Sequence, residues 1–500
     1  MAYSYYSSID AQNAAIGANE TDFPVALVIT DSRFATVANG GHVQNTDANG
    51  GASGNLTVPA DFVVSPNSDG SSPYDFEIVD YDGATGYIEL WVKIPSLSSS
   101  SDTTIYLVYG DAAVTTTQEN VTGTWSDDFH AVYHCTERTV GIPLNVALDT
   151  EEGSTDENFV SSEYSGSYIA ENAIDGNVGT AWASAGDGAN SWIQINFDRT
   201  VLLDRLVLFD RSATDQWGAG QIEFSDTSTQ AFSAPSATGT TYQISPAKST
   251  TSIKLTITSG GAGNNRGFKE IQAWEQEGTA AVGMADSAGV ANSEHLASGE
   301  PATVGGQVGD CLDFDGSNDH TQVGYMPSTP SLPFTFHMWV NPDGTTPVGI
   351  FDSAPTQLNC QRNYQAGQFE WQNKSPQFDL GLASGSWQHL VFVIDHDGTY
   401  RTVDWYKDGE WQAQESQLTA SDAVAAFTYY RWGDINLGAA GRYAGLLDEF
   451  MISSVSRDAE WIATSYANQD DPAPGGAFWS VLSGEIGGDG AIAGVWPRMF

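Results

Sequence analysis

Short apolar or alternating runs, each closed by Gly, Ser, Asp or Asn, recur along all 500 residues and predict an all-β chain. Two further observations give that prediction its form. No alternation of strands with long helical patterns is present, which disfavours doubly wound and barrel α/β architectures. The strand-like run FHAVYHCTE (Phe129–Glu137) finds its continuation only at Asp286, in DSAGVANSEHLASGEPATVGGQVGDCLDFDGSND. One sandwich is therefore interrupted by a block with its own aromatic core. Three β-sandwich or jelly-roll domains result, one of them inserted into another.

The elements follow in order. FPVALVITD (Phe23–Asp31), YIELWVKIP (Tyr87–Pro95) and TIYLVYG (Thr104–Gly110) predict strands of a first sandwich over residues 1–128. Trp91 and Tyr109 stand in these runs; either could floor a sugar site, but alternation assigns both to the core. SWIQINF (Ser191–Phe197) belongs to the inserted block, residues 144–278. FTFHMWV (Phe334–Val340) and HLVFVID (His389–Asp395) belong to the interrupted host, residues 129–143 and 279–485, leaving a tail at 486–500. One helix is expected, RDAEWIATSYANQ (Arg457–Gln469), with Ala459, Ile462, Ala463 and Tyr466 at helical spacing.

Composition bounds the function. Eighteen Lys plus Arg against 63 Asp plus Glu give a formal charge of -45, yet 11 % aromatic residues argue for packed cores over a disordered acidic chain. Such a surface repels nucleic acid and anionic membranes, and no basic stripe offsets it. It suits a salty medium, where like charges are screened. No run approaches the ~18 apolar residues of a membrane span, and the first residues, MAYSYYSSIDAQ, lack the basic and apolar regions of a secretory signal. Cys135, Cys311 and Cys360 show no metal spacing and read as buried thiols; Cys135 and Cys311 flank the insert, and a bridge between them is the alternative.

Chemistry enters through resemblance. The order YDFEIVDYDGATGYIELWVKIPSL then TTIYLVYGDAAV resembles a domain of unknown function that precedes laminin-G-like domains in prokaryotic surface and phage proteins. The insert, through NAIDGNVGTAWAS (Asn172–Ser184), SWIQINFDRTVLLDRLVLFD (Ser191–Asp210) and GFKEIQAWE (Gly267–Glu275), resembles a factor V/VIII type C (discoidin) domain, a fold shared with carbohydrate-binding modules. That resemblance implies Ca2+ held by Asp175, Thr180 and Glu270, with carbonyls near Asn172 and Asn177; oxygen-rich loops suit this cation. The alternative is a metal-free Asp-Gly turn in which Asp175 caps backbone amides. Ligands in this family sit on loops at one end of the barrel. Here the candidates are Tyr164, Tyr168, Trp217, Asn264, Asn265 and Arg266. Exposed aromatics stack on the apolar face of a sugar, while Arg and Asn hydrogen-bond its hydroxyls.

The host, through GDCLDFDGSNDHTQV, FTFHMWVNP, SGSWQHLVFVID, VDWYKDGE and INLGAAGRYAGLLDEFMISSVSRDAEWI, resembles a concanavalin A-like laminin-G or pentraxin-type jelly roll. Calcium at a sheet rim is frequent there, and Asp315, Asp319 and Asp448 are the implied oxygens; the alternative is that Asp448 and Glu449 pin a strand edge. DFDGSND is no EF-hand, since its glycine falls at the wrong position. Glycoside hydrolases of this fold carry paired carboxylates facing a cleft, and no such run is found. No GxSxG, HExxH or P-loop is present, and His134, His337 and His389 read as core histidines.

The reading that results is a non-catalytic adhesin on a virion surface, attaching to cell-surface polysaccharide or glycan. Its tail would contact other virion proteins, and a homo-oligomer would supply avidity. Nucleic-acid binding and membrane insertion are not expected. The alternatives are a virion cement protein, an exported cell-surface adhesin, and a glycoside hydrolase.

Overall fold

The computed structural model describes residues 3–125, 128–136, 138–141, 147, 159–175, 178–211, 214–275, 280–289, 294–295, 301–317, 319–323, 332–343, 348–354, 358–362, 368–371, 374–396, 400–419, 429–433 and 442–487. The architecture is all-β. In the first domain β1 (Tyr5–Ala11), β2 (Phe23–Thr30), β3 (Thr46–Gly50), β4 (Leu56–Pro59), β5 (Phe62–Ser65), β6 (Phe76–Asp82), β7 (Tyr87–Ile94) and β8 (Thr103–Tyr109) precede a one-turn helix, α1 (Val121–Thr124). Antiparallel pairing gives the orders β1-β8-β5 and β2-β7-β6. Alternation sends Ile88, Leu90, Val92 and Ile94 of β7 into the sandwich core. Trp91 and Tyr109 are fully buried.

The host opens with β9 (Phe129–Tyr133), and β10 (Arg138–Gly141) leads out of it. The insert follows as β11 (Trp192–Asp210), β12 (Ala219–Phe224), β13 (Thr229–Phe232), β14 (Thr240–Ser259) and β15 (Phe268–Glu275), in the order β13-β12-β14-β11-β15. Its core, including Trp182, Ile195, Leu206, Trp217, Leu255 and Phe268, is separate from the others. The chain returns through β16 (Ala280–Gly283), which pairs antiparallel with β10, Arg138 opposite Gly283 and Gly141 opposite Ala280. Entry and exit thus form one two-stranded stem.

The rest of the host comprises β17 (Glu294–His295), β18 (Ala302–Gly305), β19 (Asp310–Asp315), β20 (Thr321–Val323), β21 (Phe334–Pro342), β22 (Val348–Ala354), β23 (Leu358–Arg362), β24 (Gln368–Trp371), β25 (Lys374–Asp379), β26 (Gln388–His396), β27 (Tyr400–Lys407), β28 (Glu410–Thr419), β29 (Tyr429–Trp432) and β30 (Ala444–Ser453). One sheet has the order β18-β19-β30-β21-β26-β27-β28, and the facing sheet the order β17-β20-β29-β22-β23-β24-β25. Between them pack Phe336, Met338, Phe392, Trp405, Trp432 and Phe450.

The outer face of the first host sheet is covered over its central strands as well, so every residue of FTFHMWV is buried, Thr335 and His337 included. Its outward residues Val391, Val393 and Tyr406 share a core with the first domain, and Val132 and Met451 share another with Trp91 and Trp125. Helix α2 (Ala459–Asp470), close to the predicted span, lies in this seam. It is capped by Asp458, which accepts from Trp461 N at 2.8 Å. Asn468 grips β2 through both backbone groups of Ala26, at 2.7 and 2.9 Å.

One expectation needs correction here. Residues 472–485 do not end the host: Phe478 and Trp479 join the first domain's core, and β31 (Ile486–Gly487), at the start of the expected tail, extends its sheet beside β1. The physical reason is that β1 is otherwise an open edge with unpaired backbone groups. Residues 488–500, assigned to contacts with other virion proteins, lie outside the described residues. Cys135 and Cys311 are buried free thiols and form no bridge, while the side chain of Cys360 is outside the described residues. Both β9 and β19 pair with the same edge of β30, end to end, and the two thiols close the ends that meet there.

Candidate functional site

At one end of the insert, loop residues separated in sequence are drawn together. Tyr164 N donates to Ala183 O at 2.7 Å, and Tyr168 N to Ser165 O at 2.8 Å, so both tyrosines ride a tight turn. Tyr164 is 55 % exposed, and its ring meets Tyr168 edge-on with centroids 6.0 Å apart. The Arg211 guanidinium lies 4.9 Å over the Tyr168 ring and donates to Asn265 O at 2.6 Å. Asp215 steadies the far side, accepting from Asn265 N at 3.2 Å and standing 3.9 Å from Arg211. Asn264 is exposed beside this group, its carbonyl accepting from Gly188 N. A planar ring, a fixed guanidinium and side-chain amides on one surface can stack on a sugar and fork hydrogen bonds to it.

Two of the expected contact residues face inward. Trp217 is fully buried, its ring tilted against Phe268 and Trp182 with centroids 4.3 and 6.0 Å away. Asp210 accepts from Trp217 N at 3.0 Å, and this turn tips the indole into the core. Arg266 is buried too; its guanidinium donates to Gly260 O and Gly263 O, holding the loop shut. A large aromatic gains more by filling the core than by exposure. Arg211 joins this cluster without having been expected there; its signal in the sequence is a cation opening the loop RSATDQWGAG.

Two of the proposed cation ligands of the insert meet, and the third lies on the neighbouring segment. Ser184 N donates to Arg266 O and Trp182 N to Phe268 O, so residues 180–184 run antiparallel beside 266–270. Continuing that register places Thr180 opposite Glu270. The Thr180 hydroxyl donates to Asp175 Oδ2 at 2.7 Å, bringing the third residue in. Glu270 is fully buried. Asn172 spends its amide on Ser167 O and Ala181 O, shaping the turn. Asn177 lies outside the described residues. Two carboxylates, a hydroxyl and loop carbonyls are a hard-oxygen set that fits calcium. Among the described residues no group of three or more His, Cys, Asp and Glu is placed to hold a metal, so most of any coordination would come from other oxygens.

The host carboxylates do not form one site. Asp315 pairs with Ala444, and Asp448 lies four residues further along β30, ~13 Å away at strand rise. Asp319 Oδ2 accepts from Asp315 N, and Asp315 Oδ1 from Ser317 N, which closes their own turn. Asp448 is fully buried and spends Oδ2 on Gln307 N and Val308 N, each at 2.9 Å. Burial, reinforced by neighbouring Glu449, pushes its carboxyl well above the usual range. It pins the strand edge where β9 and β19 meet.

That same seam holds a buried ionic cluster. His134 Nδ1 lies 2.9 Å from Glu449 and Nε2 lies 3.3 Å from Glu77. Glu77 also accepts from Trp125 Nε1 at 2.6 Å and from the Ser287 hydroxyl at 2.7 Å. Burial alone would lower the His134 pKa, but the two glutamates hold it well above the ordinary value. His134 is a core histidine, and it clamps the first domain to the host.

Residues 315–463 match the concanavalin A-like lectin/glucanases superfamily. Over these residues the host is similar to concanavalin A-like lectin and glucanase domains. Residues 61–135 and 150–274 each match a family described only as a domain of unknown function, DUF2341 and DUF7402 respectively. No curated protein matches the chain. Among solved structures, the binding domain of botulinum neurotoxin serotype D is 15 % identical at a TM-score of 0.31, over 37 % of this chain and 49 % of that one. A SAP-like pentraxin from Limulus polyphemus is 14 % identical at 0.26, over 30 % and 78 %. A chitosan-binding module from Paenibacillus sp. IK-5 is 19 % identical at 0.22, over 26 % and 98 %. The chain thus spans about half the length of the neurotoxin domain.

Proposed function

We propose that the chain is a non-catalytic carbohydrate-binding adhesin whose discoidin-like insert contacts host glycans from a virion surface. The observation that carries this reading is the loop cluster of Tyr164, Tyr168, Arg211, Asn264 and Asn265, an exposed aromatic with a fixed guanidinium at one end of a stem-mounted module. The concanavalin A-like lectin match in the host supports the same ligand class. Calcium bound by Asp175, Thr180 and Glu270 would stiffen the turn behind Tyr168 and leave the sugar contacts to side chains. The carboxylates that stand closest in the host seam are committed to His134 and to backbone amides, which favours recognition over hydrolysis. The virion placement rests on the resemblance of the first domain to modules of prokaryotic surface and phage proteins, and several copies per particle would raise weak single-site affinity.

The test is a glycan array probed with the full chain, with and without chelator, beside Tyr164→Ala and Arg211→Ala. Selective glycan binding that both substitutions abolish is expected, with chelator weakening it. Array binding that neither substitution alters overturns the insert as the binding module. Mass spectrometry of purified particles tests the location.

A further inference from the structure

The hairpin at the free edge of the host sheet presents a second aromatic surface. β27 and β28 are joined by Asp408 and Gly409, both at positive φ (51° and 77°), the two-residue turn that matches strand twist. Its tip is held from both sides. Asp408 accepts from His389 N at 2.9 Å, and a Cβ on Gly409 would lie 2.9 Å from Tyr466 of α2. Just beyond this anchored turn Trp411 is 56 % exposed, among the most exposed large side chains described.

The indole is oriented. Trp411 Nε1 donates to Asp404 Oδ1 at 3.0 Å, and Gln414 Nε2 donates to Asp404 Oδ2 at 2.9 Å. Gln414 stands directly opposite Asp404, and Trp411 opposite Tyr406, so all these side chains share the outer face of the pleat. Each Asp404 oxygen accepts one protein donor and keeps lone-pair capacity for another, as does the Gln414 carbonyl. The cation of this hairpin turn, Lys407, points to the other face and donates to Gly381 O. What remains is a flat, fixed indole bordered by hydrogen-bond acceptors and by negative charge.

We propose that Trp411, Asp404 and Gln414 form a second saccharide site, for an uncharged pyranose within a polysaccharide. The CH face of the sugar lies on the indole while two of its hydroxyls donate to Asp404 and Gln414. The carboxylate repels sialic and uronic acids, so selectivity for uncharged sugars comes from Asp404. None of these residues belongs to the insert's loop cluster, and the site rests on its own geometry. With one module contacting through its loops and the host through its edge hairpin, a single chain could hold one polymer at two points.

The experiment uses the full chain labelled with fluorotryptophan and read by fluorine NMR, with Trp411→Phe assigning the Trp411 resonance. The probes are cello-, xylo-, manno- and N-acetylchito-oligosaccharides, with oligogalacturonate as the acidic comparison. At least one uncharged probe is expected to shift the Trp411 resonance saturably, and oligogalacturonate is expected to leave it still. Trp411→Ala should weaken retention of the chain on the matching polysaccharide by about tenfold, while Trp411→Phe, which keeps a stacking ring, should lose less. Tyr164→Ala should leave the Trp411 shift unchanged, so failure of the insert reading and failure of this one are told apart. A Trp411 resonance unmoved by every uncharged probe overturns the proposal. So does an equal response to oligogalacturonate, or a dimer that Trp411→Ala dissolves, which would make the indole a seat for a second copy.

Discussion

Trp217 and His134 show what burial does to residue types that look functional. Trp217→Ala removes an indole from a closed core, so a loss of about 3–5 kcal/mol is expected, read by denaturant unfolding of the insert, with no specific loss of glycan contact in the fraction that folds. Its chemistry alone suggested a sugar platform; a glycine-flanked aromatic reads the same whether it points out or in. His134 carries a sharper expectation. Its folded pKa is raised, so its ion pairs stabilise fully below the ordinary value of about 6.5 and are lost as pH rises through the folded value. His134→Leu leaves Glu77 and Glu449 facing each other and should cost about 3–5 kcal/mol in thermal or denaturant melts at neutral pH. The strand run FHAVYHCTE marked this histidine as a core residue, but its two partners come from β6 and β30, a convergence no local pattern encodes.

Helix α2 is the element on which the host's outer face depends. His337 and His389 lie beneath it, edge to face at 5.8 Å, with Trp339, Trp461 and Tyr466 around them and Arg457 nearby. Among the described residues their ring nitrogens have no hydrogen-bond partner. Burial pushes His389 down to about 3 and His337 well below its ordinary value. The unfolded chain therefore binds more protons over this window, and stability falls as pH drops from about 6.5 toward 3. Hydrogen exchange should show α2 and β2 losing protection in that window, and His337→Phe with His389→Phe should flatten the dependence. The helix itself was legible from its spacing. What it covers was not, because Thr335 and His337 interrupt the apolar pattern of β21 and only the packing shows both of its faces buried.

At the scale of the molecule, one module stands on a stem and another is closed by a distant segment. Gly141 and Ala280 are register partners, so replacing residues 142–279 with a two-residue turn should leave the host and first domain folded, with an unchanged melting transition for both. Ending the chain at Ser456 should have the opposite result. Trp461, Ile462, Phe478 and Trp479 would leave the first domain's core and β1 would regain an open edge, so limited proteolysis should cut within residues 3–125. The sequence by itself determined the all-β class, the strand runs it marked and helix α2, because strand and helix periods and turn residues are local signals. Only the tertiary structure decided that Trp217 and Arg266 face inward, that Arg211 joins the tyrosines, and that residues 472–487 complete the first domain. Those outcomes depend on which surfaces meet across hundreds of residues, and burial there is set by long-range pairing that a local pattern constrains but does not specify.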